Sequence, residues 1–138
     1  MSVASALAGD ELFSLSVEDL GSYCLLRLEG ELDVLTTAKL RAALSELLVD
    51  AGQVHLVVDL TGLTFMDSSG LGTLVRAQRQ ARGLRGSFAV VCPEGPVRRV
   101  LALTGLVHVL RVFGSLDAAT AERAASGTDQ ATGATSSS

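Results

Sequence analysis

The apolar positions change period several times along the chain, and each change marks an element. Phe13, Leu15 and Val17 alternate with Ser14 and Ser16, the spacing of a half-buried strand. Tyr23 to Glu29 reads as a second strand, and the Gly21-Ser22 turn before it makes the two a hairpin. From Thr36 to Asp50 the period lengthens. Leu40, Ala43, Leu44, Leu47 and Leu48 fall on one face of a helix, with Thr36 as N-cap and Gly52 as stop. His55-Leu56-Val57-Val58-Asp59-Leu60 is a short apolar run suited to a strand buried on both faces. A loop is expected next, then a helix over Ser69 to Arg82 carrying Leu71, Leu74, Val75 and Ala81. Ser87 to Cys92 reads as a strand ended by Pro93. Pro96 opens a helix with Val97, Val100 and Leu101, closed by Gly105 with Leu106 beyond it. Val107 to Val112 is expected as the last strand, and Leu116 to Ala125 as a helix behind Ser115. Strands separated by helices predict one α/β domain, a mixed sheet of about five strands with helices packed on it.

Composition agrees with a core-forming chain. Of 138 residues, 48% are hydrophobic and 19% charged, which suits one domain able to bury a real core. The domain is expected over residues 11–125. Residues 1–10 are expected to be flexible, and the Ser/Thr/Gly/Ala-rich residues 126–138 a disordered tail. The formal charge of −4 argues against a general nucleic-acid binder, so no direct DNA binding is expected. Two cysteines without a Cys-x-x-Cys pair point to a reducing compartment rather than a disulfide framework. There is no cationic, apolar leader and no run of roughly 18 apolar residues, so a cytoplasmic protein with no membrane contact is expected.

One stretch concentrates chemistry: Asp67-Ser68-Ser69-Gly70, where the chain enters a helix. Asp and Ser are ordinary N-cap residues, so capping alone accounts for their presence. The same helix start offers free N–H groups and a dipole that favour negative charge, so a phosphate on Ser68 or Ser69 could sit there. Enzyme readings find no support. Met66 and Asp67 stand where a nucleophile elbow needs glycine before Ser68 or Ser69. There is no phosphate-binding Gly-x-x-x-x-Gly-Lys loop and no His/Cys cluster, so no catalytic residue, cofactor or metal is expected. His55, His108, Cys24 and Cys92 fall in apolar strand patterns and read as structural. Arg76, Arg79, Arg82 and Arg85 recur every third residue, as a docking stripe for an acidic partner or as a solvated helix face; Arg98 and Arg99 could extend it.

The run Phe65-Met66-Asp67-Ser68-Ser69-Gly70-Leu71-Gly72 closely resembles the phosphorylation-site segment of bacterial anti-sigma factor antagonists, which are single-domain STAS proteins. Leu28-Glu29-Gly30-Glu31-Leu32-Asp33 resembles the family's second signature, and the likeness spans roughly Phe13 to Ala119. The resemblance implies that Ser68 is the phosphoacceptor, with Ser69 as runner-up, and that Asp33 lies near it. It implies a partner surface of Asp33, Asp67, Ser68, Ser69, Gly70 and Leu71, to which Arg76 on the following helix is added. It also implies a partner-switching cycle. The unphosphorylated protein would bind an anti-sigma factor that is also a serine kinase, freeing a sigma factor for transcription. The kinase would phosphorylate Ser68, and a metal-dependent serine phosphatase would reset it. Val34-Leu35, directly after Asp33, depart from the polar residues many relatives carry there. The alternatives within the family are a nucleotide-sensing STAS module, for which no separate motif is present, and a structural STAS subunit of a transporter or signalling assembly, which needs no phosphorylatable serine.

Charge adds one feature. Met1 to Asp67 holds 3 basic and 11 acidic residues, whereas Ser68 to Ser138 holds 8 basic and 4 acidic. The sign of the chain changes at the expected phosphosite.

Overall fold

The computed structural model describes residues 12–121. The expected flexible N-terminus, the expected tail and the end of the expected last helix lie outside the described residues. The elements run β1 (Phe13–Asp19), β2 (Cys24–Leu32), α1 (Thr37–Ser45), a wide π turn (Glu46–Asp50), β3 (His55–Met66), α2 (Ser68–Gly83), β4 (Ser87–Val91), α3 (Pro96–Leu103), a 3-10 turn (Leu106–His108) and β5 (Val112–Phe113). Residues 116–121 are helical. Among the described residues the five strands form one sheet in the order β1-β2-β3-β4-β5. β1 and β2 are an antiparallel hairpin, and the later neighbours are parallel. The sheet is therefore mixed, as expected.

Parallel neighbours need crossovers, and α1, α2 and α3 supply them. Each crossover steps one strand in the same direction, so crossovers of one hand lay all three helices on one face. That face carries the main core. Leu26, Leu28 and Leu32 of β2, Leu56, Val58 and Leu60 of β3, and Phe88 and Val90 of β4 meet Leu40 and Leu44, Leu71 and Leu74, and Val97 and Leu101 from the helices. The helical residues 116–121 follow the edge strand and cover part of the opposite face, where Ala119 packs with Leu25, Val57 and Val91. Leu56, Val57 and Val58 are thus all buried, which is why that run lacks alternation.

Two differences from the sequence pattern have clear causes. The segment after Leu60 is not a loop: β3 continues to Met66. Its inward residues are Leu56, Val58, Leu60, Leu63 and Met66, so the period of two slips twice. The pairing slips at the same places. Between the Arg27↔Asp59 and Glu29↔Gly62 pairs, and again between Gly30↔Leu63 and Glu31↔Phe65, β3 inserts one extra residue. Each bulge re-phases the strand so that the next apolar side chain returns to the core. The second difference concerns Val107 to Val112, where only Val112 and Phe113 pair, with Val90 and Val91. Gly105 turns left-handed at φ 79°, and the Leu110 N–H bonds to the Leu106 carbonyl at 2.8 Å. Leu110 is buried and Val109 exposed, so the apolar spacing there belongs to a helical turn, and His108 stands exposed rather than in a strand.

Candidate functional site

The two signature segments meet at the C-terminal ends of β2 and β3, where Leu32 pairs with Met66. The Asp67 N–H donates to the Leu32 carbonyl at 3.2 Å. Asp67 thus ties the end of β2 to the start of α2. Asp67 is extended (φ −107°, ψ −171°) and caps that helix. Its Oδ1 accepts from the Ser69 N–H at 2.9 Å, the Gly70 N–H at 3.2 Å and the Ser69 hydroxyl at 2.5 Å. The Ser69 hydroxyl bond is the main reason the Asp67 carboxyl is held below its ordinary value of 3.8; the backbone N–H bonds act the same way, against a smaller desolvation effect.

The neighbouring serines therefore differ. Ser69 is half-buried and its hydroxyl is committed to Asp67. Ser68 is exposed, and its hydroxyl makes no hydrogen bond among the described residues. The free N–H groups expected at the helix start are also not free, because Asp67 already holds those of Ser69 and Gly70. Anionic charge added at Ser68 would stand beside an occupied anion position.

Two glycines of the motifs, Gly70 and Gly30, have a local reason. A Cβ on Gly70 would come within 2.9 Å of Leu32 Cδ2 and Met66 Cγ, so α2 can approach the sheet this closely only with glycine there. Gly30 has φ 103°, and a Cβ would lie 2.0 Å from the Leu12 carbonyl oxygen, which accepts the Glu31 N–H at 2.7 Å. Asp33 shapes the turn that follows. Its Oδ1 accepts from the Leu35 N–H at 2.9 Å and the Thr36 N–H at 3.0 Å. Thr36 stands at the N-cap of α1, but its side chain does not cap: Oγ1 accepts the Asp33 N–H at 2.8 Å and donates to the Glu31 carbonyl at 2.9 Å.

Asp33, Asp67, Ser68 and Ser69 are thus brought into one neighbourhood. Gly70 and Leu71 face inward and offer a partner little surface of their own. Arg76 is exposed, two helical turns or roughly 12 Å beyond Ser68, and lines a hollow of about 220 Å³ with Arg41 and Leu44 of α1. The arginines do not form one stripe. A step of three residues turns back about 60° around a helix, so Arg82 faces a different hollow, with Ser87 and Arg111. Arg85 lies past the helix end at φ 64°. Cys24 and Cys92 are buried, and burial pushes the Cys92 thiol up to about 11. His55 Nδ1 lies 2.9 Å from Ser87 Oγ, a structural contact between β3 and β4.

The apolar pattern gave no hint of one surface feature. Val34 is 69% exposed and Leu35 80%, immediately beside this site. A signal for it exists in the sequence: Asp33 and Thr36 bracket the pair as a side-chain-stabilised turn, which leaves Val34 and Leu35 no sheet or helix face to bury.

Among the described residues no helix is long and apolar enough to cross a membrane, and no group of three or more metal-ligating side chains occurs. The model of the STAS domain matches residues 14–131. The chain is 32% identical over 118 residues to the anti-sigma-F factor antagonist RsfB of Mycobacterium tuberculosis, covering 85% of this chain and 95% of that one. It is 34% identical over 89 residues to an anti-sigma F factor antagonist of Paenibacillus polymyxa, covering 64% of this chain and 76% of the relative. A crystal structure of an anti-sigma factor antagonist from Mycobacterium paratuberculosis superposes with a TM-score of 0.71 at 26% identity, covering 83% of this chain and 96% of that one.

Proposed function

The chain belongs to the STAS-domain family, and from that premise we propose that it is an anti-sigma factor antagonist switched by phosphorylation of Ser68. The unphosphorylated protein binds an anti-sigma factor that is also a serine kinase, and so frees a sigma factor for transcription in the cytoplasm. The kinase transfers the γ-phosphoryl group of ATP to Ser68 Oγ, releasing ADP and the hydroxyl proton. A metal-dependent serine phosphatase removes the group by hydrolysis. The chain itself is a substrate and a binding module in this cycle, with no catalysis of its own.

The observation that carries the reading is the contrast between the two serines. Ser68 presents an exposed, uncommitted hydroxyl at the start of α2, whereas the Ser69 hydroxyl is held by Asp67. The electrostatics favour a switch without refolding. A phosphoserine brings about −1.5 to −2 units of charge. Asp67 already holds the Ser69 and Gly70 N–H groups, so the phosphate gains less neutralisation from the helix start and adds to the charge of Asp67 and Asp33. A partner surface suited to the unmodified site then meets like charge, a penalty on the order of several kcal/mol.

The test uses the cognate anti-sigma kinase and ATP. One phosphoryl group is expected on the wild type and none on Ser68→Ala, by intact-mass measurement. Calorimetry is expected to give Ser68→Ala near-normal affinity and Ser68→Asp at least tenfold weaker binding. Phosphate retained in Ser68→Ala would move the site to Ser69, and equal affinities would remove the electrostatic switch.

A further inference from the structure

The side chains of Val34 and Leu35 stand outside the core. The backbone of the pair is tied down by Asp33 and Thr37, while its side chains are 69% and 80% exposed. We infer that Val34 and Leu35 form the apolar anchor by which the Ser68 kinase holds this protein, so that the kinase carries an apolar recess beside its active site. This inference rests on Ser68 being a kinase substrate.

For transfer, the γ-phosphorus must approach Ser68 Oγ to about 3–3.5 Å. A specific protein partner covers about 800 Å² of each surface. Leu32 pairs with Met66, and its carbonyl accepts the N–H of Asp67, the residue directly before Ser68, so Val34, two residues on from Leu32, lies inside such a footprint. Any kinase seated on Ser68 must cover the pair. An aliphatic pair near the centre of an interface contributes most when it enters a recess that excludes water. The flanks are different in kind: Asp33, directly before the pair, and Asp67 of the same site are acidic, so the recess is expected to have a cationic rim. The division of labour follows. The apolar contact supplies affinity that salt barely changes, and the charge at Ser68 decides whether the contact is allowed.

Two measurements test this. A photo-crosslinking residue is placed at position 34, 35 or 20 of the full chain in its own cells, and crosslinked proteins are identified by mass spectrometry. Leu20 is exposed but lies before β2, at the far end of the strand that leads to Asp33. Positions 34 and 35 are expected to capture a serine kinase, and position 20 not to. With that kinase purified, Val34→Ser/Leu35→Ser is expected to raise the KM for Ser68 phosphorylation on the order of tenfold or more, with kcat and thermal stability unchanged. Both side chains are exposed, so the variant folds. Unchanged KM with normal phosphorylation of Ser68 would overturn the anchor and leave the switch standing. Crosslinking to a second copy of this chain would overturn it as well. Capture at 34 and 35 of a kinase that does not phosphorylate Ser68 would overturn the anchor together with the switch.

Discussion

Replacing Asp67 by alanine removes the cap of α2 and the partner of the Ser69 hydroxyl in one step. The carboxylate accepts the Ser69 N–H, the Gly70 N–H and the Ser69 hydroxyl at 2.9, 3.2 and 2.5 Å. Loss of an N-cap side chain costs typically about 1 kcal/mol and at most about 2. The lost bond to the Ser69 hydroxyl adds roughly 1 kcal/mol. The site is only half-buried, so water replaces part of what is lost, and the total is about 2 kcal/mol. For a domain of this size that is a fall of roughly 8 °C in Tm. Asp67→Asn keeps a good capping acceptor and loses only the charge at the helix N-terminus, less than about 1 kcal/mol. Urea unfolding followed by circular dichroism at neutral pH separates the two variants. Acid titration supplies a sharper check. The folded-state value of Asp67 lies below its ordinary 3.8, so the carboxylate's contribution is fully present above that value and is lost as the pH falls through the folded value. The stability gap between wild type and Asp67→Ala should therefore be level down to about pH 4 and narrow below it. An Asn variant as unstable as the Ala variant, or a gap that does not narrow at all in strong acid, would refute this account of the cap.

Further outcomes follow from other parts of the structure. Gly70→Ala places a Cβ within 2.9 Å of buried Leu32 and Met66 side chains and should cost about 1–3 kcal/mol in chemical denaturation. Gly72→Ala, one step further on the exposed side of the same helix, meets nothing within 4 Å and should stabilise by about 0.5–1 kcal/mol. A thiol reagent at pH 8 should leave native Cys24 and Cys92 unmodified and label both in denaturant, because burial raises both thiols. Arg27→Ala should cost less than about 1 kcal/mol: its bridge to Asp59 is 3.6 Å long and Arg27 is half exposed.

Local patterns carried much of the architecture. The alternation of Phe13, Leu15 and Val17, the four-residue spacing of Leu40, Leu44 and Leu48, and the continuous run at Leu56 to Val58 are each a direct print of one face, two faces or a stripe in contact with the core. The same logic misread β3 beyond Leu60. There the strand keeps its pairing by inserting residues opposite β2, and a bulge erases the period that makes a strand visible. Val107 to Val112 failed for a related reason, since a run of apolar β-branched residues fits either a strand or a helical turn that packs only Leu106 and Leu110.

The sequence by itself determined an α/β sheet protein of one domain and the two signature segments, because hydrophobic period and motif identity are local properties. It also placed two serines side by side at a helix start. Only the tertiary structure distinguished them. The difference rests on Asp67, whose carboxylate gathers two N–H groups of α2 and takes the Ser69 hydroxyl in the same act, while its own N–H bonds to Leu32, far away in sequence. Ser68, left outside that network, and Val34 and Leu35, left outside the core, acquire their exposure from how β2 and β3 end side by side, a register no local period encodes.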